Sequence, residues 1–237
     1  MMRRPVRFGS FALLLHVALA QTLPDVAQIL KKVSETYKAA SQYELVGDVT
    51  SHDVRTGKDG TSHMRMVFQA PNRYRIEGGV PGMSVRDSDL SEGVIIDDST
   101  AVWFYLPKSN QYGSFPASAL TADAPGDLGD LRPEAVDYFM MWRYRRAADL
   151  TAGSKFLRED VIEVAGTKVP CYVVTVSPDR RGSACTWWID KKRYRILRED
   201  QAGSSIVFTA IRLGEPLASE LFRFVPPPGA RKIEMHQ

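Results

Sequence analysis

The sequence predicts a mostly β, α+β domain built on one large antiparallel sheet, curved or partly closed. Three observations predict it. Short runs of β-branched and aromatic residues recur about every 8–12 residues between Gly, Pro and Asp turns. One amphipathic helical stripe precedes them, and a second helical segment interrupts them. No self-similar period of roughly 20–50 residues marks a repeat architecture.

The first helix begins around Leu23-Pro24-Asp25, where Pro24 suits a first turn. Val26, Ile29, Leu30, Val33 and Tyr37 then form one apolar stripe, with Lys31, Lys32, Glu35 and Lys38 opposite. Strands are predicted at 43–54 and 62–69, joined by a turn at Asp59-Gly60. Another at 73–77 alternates Tyr74 and Ile76 against Arg73, Arg75 and Glu77. Residues 93–96 and 101–106 flank the turn Asp97-Asp98-Ser99-Thr100. Residues 121–133 are rich in Gly, Pro and Asp and read as a loop. A second helix is predicted over 133–148, with Val136, Phe139 and Met140 along one side. Strands return at 155–164, 169–177, 184–190, 193–200, 204–213 and 221–225; Pro226-Pro227-Pro228 ends regular structure.

Residues 1–20 read as a Sec-type signal peptide. Arg3, Arg4 and Arg7 precede an apolar run from Phe11 to Leu19, which closes on Ala18-Leu19-Ala20. Residues 21–237 are then one exported, periplasmic domain. The run is shorter than the roughly 20 residues of a membrane-spanning helix, so no integral span is expected. The 31 basic residues include the three signal arginines, leaving 28 against 28 acidic ones. A neutral domain lacks the basic excess of a nucleic-acid footprint, so no nucleic-acid partner is expected.

Two cysteines remain, Cys171 and Cys185. An oxidising compartment and a predicted hairpin between them favour a disulfide, against the alternative of two buried thiols. They cannot fill a tetrahedral metal shell. His52 and His63, with Asp53 as a third candidate ligand, read as strand-end residues and not as a metal site. No nucleophile elbow, P-loop, H-E-x-x-H or G-x-G-x-x-G occurs. The adjacent carboxylates Asp97-Asp98 and Glu159-Asp160 point to opposite faces if they lie on strands. No catalytic residue is therefore assigned, and the chain is not expected to be an enzyme.

The unusual feature is aromatic and thioether surface: Trp103-Phe104-Tyr105, Trp187-Trp188, and Met140-Met141-Trp142. Ordinary core accounts for part of it. The sharper reading is an apolar ligand cavity between sheet and helices, with Met as an adaptable lining.

Four segments resemble a known family. They are Phe68 to Glu77 (F-x-x-P with a following R-x-E), Asp97 to Tyr112, Trp188-Ile189-Asp190 with Arg195 to Glu199, and Phe222 to Ala230 (F-x-F-x-P-P-x-G-A). In order and spacing they resemble the periplasmic lipoprotein-carrier superfamily, the LolA/LolB/RseB-like proteins. Asp98 and Ser99 stand where that pattern usually has glycine. Ala70 stands before Pro71, where dedicated carriers often have a basic residue. The resemblance implies an unclosed antiparallel half-barrel covered by helices and loops, binding acyl chains with no cofactor.

The sequence thus predicts an exported, monomeric binding protein for lipid or lipoprotein acyl chains. The alternative is a lipid- or stress-sensing regulator that binds an envelope protein partner. The expected cavity lining is Val67, Ile76, Trp103, Tyr105, Val174, Trp188 and Ile206 on the sheet. Ile29, Val33, Phe139 and Met140 would lie on the helices above. Strand parity is open, because a one-residue slip reverses every side chain. Arg143, Arg145 and Arg146 end the second helix, where they either stabilise its C-terminus or meet anionic headgroups.

Overall fold

A computed structural model describes residues 23–53, 57–78, 92–120, 131–176 and 184–234, with only the backbone of 53, 58 and 138–140. The signal peptide, the cleavage site, the 121–130 loop, the turn after Ser177 and His236 lie outside the described residues.

Helix α1 (Val26–Lys38) is followed by β1 (Gln42–Asp53), β2 (Lys58–Gln69), β3 (Arg73–Gly78), β4 (Val94–Asp97), β5 (Ala101–Leu106) and β6 (Gln111–Pro116). Helix α2 (Pro133–Arg145) leads into β7 (Lys155–Val164), β8 (Thr167–Val176), β9 (Cys185–Asp190), β10 (Ile196–Gln201), β11 (Ser204–Leu213) and the short β12 (Arg231–Lys232). All twelve strands form one sheet in the order β12-β6-β5-β4-β3-β2-β1-β11-β10-β9-β8-β7. It does not close into a barrel. Every strand pairing is antiparallel except β12 with β6.

The capping chemistry of α1 follows its sequence. Asp25 is the N-cap, and its carboxylate accepts from the Ala27 amide at 2.9 Å. The predicted stripe is buried: Ile29, Leu30, Val33 and Tyr37 are at most 4% exposed. α2 adds Val136, Met141 and Tyr144 to the same core. Both helices therefore lie on one face of the sheet. The strands present Leu45, Met64, Met66, Tyr74, Val102, Val174, Trp187 and Phe208 to them.

One close approach needs glycine. The β1–β11 register shifts between Val46 and Gly47. A Cβ at Gly47 would lie 2.7 Å from the Val207 carbonyl oxygen, so only a residue without one lets the two backbones meet there.

The structure differs from the sequence reading in four places. Asp59 and Gly60 lie inside β2, opposite His52 and Ser51, so the first hairpin turns before Lys58. β6 is an additional strand; Tyr112 and Phe115 carry its alternation past Gly113, which sits against the Phe104 ring. The predicted strand 221–225 is a 3-10 turn, Ser219–Phe222, followed by unpaired chain. Its aromatics pack instead of pairing. Phe222 is buried beneath the Arg73 guanidinium, 4.9 Å from the ring centre, and Phe224 stacks on Trp103 at 5.2 Å.

The fourth difference is the disulfide. Cys171 pairs with Asp190 and Cys185 with Val176, five positions further along the same ladder. At about 3.3 Å per residue that offset far exceeds the roughly 7 Å limit for bridging Cα atoms. The two also face opposite ways: Cys185 belongs to the helix-side core, Cys171 to a second cluster with Val173, Trp188 and Leu197. They are not bridged to each other. Burial pushes the Cys171 thiol up to about 12, which keeps it protonated and unreactive. Titrating thiols on unreduced, denatured protein is expected to give two per chain; zero would contradict this register.

Candidate functional site

Beneath the C-terminal end of α2 the sheet and helices meet in packed aromatic rings. Tyr144 lies 5.0 Å from Tyr37, 5.6 Å from Trp187 and 6.5 Å from Phe208, the last two edge-on. The Tyr37 hydroxyl accepts from the Ile196 amide at 2.9 Å. Glu199, 4% exposed, accepts from Arg143 at 2.8 Å and from the Trp187 indole at 2.9 Å. Burial holds the Tyr37 and Tyr144 hydroxyls above the usual phenol range, so both stay neutral.

The open space lies beside this packing, at the end of the sheet where β2 turns into β3. A pocket of about 480 Å³ is lined by Ser41, Phe68, Ala70, Pro71, Glu134, Asp137, Trp142, Arg145 and Arg146. Its size falls within the roughly 300–1,000 Å³ of small-molecule sites. Phe68, Ala70 and Pro71 come from the β2–β3 turn, whose Ala70–Pro71 bond is cis. Ser41 comes from the α1–β1 junction, where its carbonyl accepts from the Ala70 amide at 3.0 Å. Helix α2 supplies the remaining wall. Glu134 and Asp137 are three residues apart, and Trp142 and Arg145 continue the same side two turns on.

The arginines have definite partners. Arg145 donates to Asp137, to the Ala40 carbonyl at 3.1 Å and to the Tyr37 carbonyl at 3.4 Å. It caps the C-terminus of α1, not of its own helix. Ser34 on α1 returns a hydrogen bond to the Arg145 carbonyl, so the two helix ends hold each other. Arg146 stacks on the Trp142 ring at 5.3 Å and pairs with Asp149 at 2.6 Å. Arg143 turns inward to Glu199.

The residues expected to line a cavity divide by parity. Ile29 and Val33 on α1, with Ile76, Val174 and Ile206 on the sheet, belong to the helix-side core. Val67, Trp103, Tyr105 and Trp188 point to the other face, because their neighbours Met66, Phe104 and Trp187 take the helix side. There Trp103 meets Phe224, Tyr105 donates to Asn110 at 3.1 Å, and Trp188 packs with Cys171 under the Arg198 guanidinium. The side chains of Phe139 and Met140 lie outside the described residues. None of the other nine lines the pocket. The signal that could have found it is the turn Phe68-Gln69-Ala70-Pro71, together with the Trp142 to Arg146 end of α2.

His52 pairs with Asp59 at 2.7 Å and His63 with Asp48 at 3.0 Å, on exposed strand positions. Among the described residues, no three His, Cys, Asp or Glu side chains group to hold a metal. No helix among them is long and apolar enough to cross a membrane.

No protein-family model matches the chain. It is 21% identical over 205 residues to an uncharacterized protein of Methanocaldococcus jannaschii, covering 86% of this chain and 52% of the relative. The chain thus spans about half the length of the curated relative it matches. Among solved structures it is similar to LprF from Mycobacterium bovis, at 15% identity and a TM-score of 0.48, covering 87% of this chain and 98% of that one. It is also similar to a LolA superfamily protein from Nitrosomonas europaea, at 12% identity and a TM-score of 0.32, covering 85% and 98%. These likenesses concern fold alone. The twelve-stranded sheet, unclosed and with both helices over one face, agrees with the helix-covered, curved antiparallel sheet that the sequence analysis expected.

Proposed function

We propose that this protein is an exported binding protein of the cell envelope that shelters an acyl chain, of a lipid or a lipoprotein, and performs no catalysis. The observation that carries the reading is the pocket between α2 and the β2–β3 turn. Phe68, Pro71 and Trp142 give it apolar walls at the mouth of an otherwise packed interface. An acyl chain placed there leaves water at a gain of about 25 cal/mol per Å² of apolar area. One wall is a helix held to its neighbour mainly through its C-terminal end, at Ser34 and Arg145. Release then needs movement of the Pro133 end of α2, not unfolding of the sheet.

The test is lipid extraction and native mass spectrometry of protein from the envelope fraction, with titration by a fluorescent fatty-acyl probe. Co-purified acyl lipid and quenching of Trp emission are expected. Trp142→Ala is expected to weaken the probe by about tenfold, the loss of roughly 1.4 kcal/mol of aromatic contact. A folded protein that binds no acyl probe and carries no lipid sinks the reading.

The second reading, an envelope protein partner, is favoured by the edge strand β7. Among the described residues it pairs only with β8, and Leu157 and Val161 are 49% and 55% exposed on it. An open strand edge is a template for adding a strand from another chain.

A further inference from the structure

The edge strand β7 has a sequence that complements itself when reversed. Counted outward from Glu159, Arg158 answers Asp160, Leu157 answers Val161, Phe156 answers Ile162 and Lys155 answers Glu163. Each step sets opposite charges, or two apolar side chains, at equal distances from Glu159. In an antiparallel pair related by a two-fold axis, each residue of one copy lies opposite its mirror position in the other. Opposite charges and apolar pairs facing each other across strands stabilise a sheet, and like charges weaken it.

The edge is open among the described residues, since β7 ends the sheet and pairs only with β8. The Val161 amide donates to the carboxylate of Asp160 beside it at 2.8 Å, as an edge amide with no strand beyond it does. A bulge moves the register from Phe156–Val174 to Arg158–Val173, so Leu157 has no counterpart on β8. Arg158 and Asp160 pair within the chain at 3.1 Å, and Glu159 pairs with Lys191. Lys155 and Glu163 are exposed and have no ion-pair partner among the described residues.

We infer that β7 pairs antiparallel with the β7 of a second copy of this chain, with the two-fold axis at Glu159. Leu157 of each copy then covers Val161 of the other. The Arg158–Asp160 pairs join into a network of four charges across the axis, and Lys155 and Glu163 find each other at both ends. The two Glu159 carboxylates meet on the axis, each already offset by its own Lys191. So short a pairing makes a weak dimer, populated at tens of micromolar and above. The inference is independent of the acyl-chain reading, and either can fail alone.

Sedimentation velocity of the intact protein, from micromolar to millimolar concentration, tests it. A reversible monomer–dimer equilibrium is expected. Lys155→Glu and Glu163→Lys, each checked by circular dichroism, put like charges together at both ends of the pair. Each alone is expected to weaken the dimer about tenfold. An equimolar mixture of the two variants is expected to restore association to the parent level, because only the mixed dimer has opposite charges at both ends. A merely structural effect of either substitution would not be repaired by mixing. A protein that stays monomeric at millimolar concentration overturns the inference and leaves β7 to a strand from a different protein. A dimer that ignores both substitutions, or one that mixing does not restore, places the contact elsewhere and overturns it as well.

Discussion

Glu199→Ala is expected to lower the stability of the fold by about 3 kcal/mol, a drop in Tm on the order of 10 °C for a domain of this size. Glu199 is the single carboxylate beneath α2 that accepts from both Arg143 and the Trp187 indole. Its removal leaves the buried Trp187 N–H without this acceptor and takes from the inward-turned Arg143 guanidinium its 2.8 Å carboxylate partner. Removing one partner of a buried pair costs more than the pair was worth, because the other charge stays desolvated. Arg143 is 26% exposed, which lets water soften the loss and places the estimate at the lower end of the usual range. Glu199→Gln keeps an acceptor for Trp187 and removes the charge, so it is expected to cost less than the alanine. Denaturant midpoints of the two variants check this. Equal, sub-kilocalorie effects would mean that the α2–sheet junction is held by the aromatic rings alone.

How far the sequence carried follows from the same elements. Periodicity located α1 well, because a stripe at helical spacing has one solution; the helix itself starts at Val26, with Asp25 as its cap and Pro24 before the cap, not in the first turn. It located most strands to within a few residues for the same reason: turn residues and alternation agree. It went astray where alternation is not the deciding force. Phe222 and Phe224 alternate like a strand, yet among the described residues their segment joins no ladder. They fold over the outer face and pack on Arg73 and Trp103. Asp59-Gly60 has turn chemistry, yet the ladder from Gln42 to Asp53 continues past it.

Parity marks the deeper limit. In Trp103-Phe104-Tyr105 and Trp187-Trp188 both faces offer aromatics, so composition does not say which face the helices cover. The structure resolves it through the outer packing. Trp188 lies between the Arg158 and Arg198 guanidinium groups and donates to Asp160 at 3.0 Å, partners that a helix-facing position would not have. The pocket was less visible still, since it joins Ser41, Phe68, Pro71 and the far end of α2. Each is unremarkable alone; the Ala70–Ser41 backbone hydrogen bond and the mutual capping of the two helices through Ser34 and Arg145 bring them together. The same geometry removed the disulfide: a hairpin between two cysteines is not enough when the register sets them five positions apart.

Asp97 carries the last prediction. It ends β4 on the helix-facing side, 1% exposed, and its carboxylate accepts from the Ser99 amide at 2.8 Å. Burial raises its pKa to about 6, the Ser99 hydrogen bond opposes the rise, and the charge of neighbouring Asp98 adds to it. Asp98 itself behaves oppositely. Burial works against its charge, but hydrogen bonds from Thr100, Ala101 and Trp103 outweigh that and hold it below the usual range. For Asp97 the folded state binds the proton more tightly than the unfolded chain, whose Asp titrates near 3.9. Its effect on stability is therefore favourable in acid, falls as pH rises from about 4 to about 6, and is fully unfavourable above that. Two pH units correspond to about 3 kcal/mol. Asp97→Asn keeps an acceptor for Ser99 and removes the ionisation. The variant is expected to match the parent near pH 3.5 and to exceed it by about 2–3 kcal/mol at pH 7.5. Taking the difference between the two proteins cancels the opposing loss, on acidification, from carboxylates such as Asp98 and Asp160, whose pKa values are lowered in the fold. Denaturant unfolding of both across pH 3.5 to 7.5 measures that difference. A gap that stays constant over the whole range would show that Asp97 ionises in the folded protein as it does in the unfolded one.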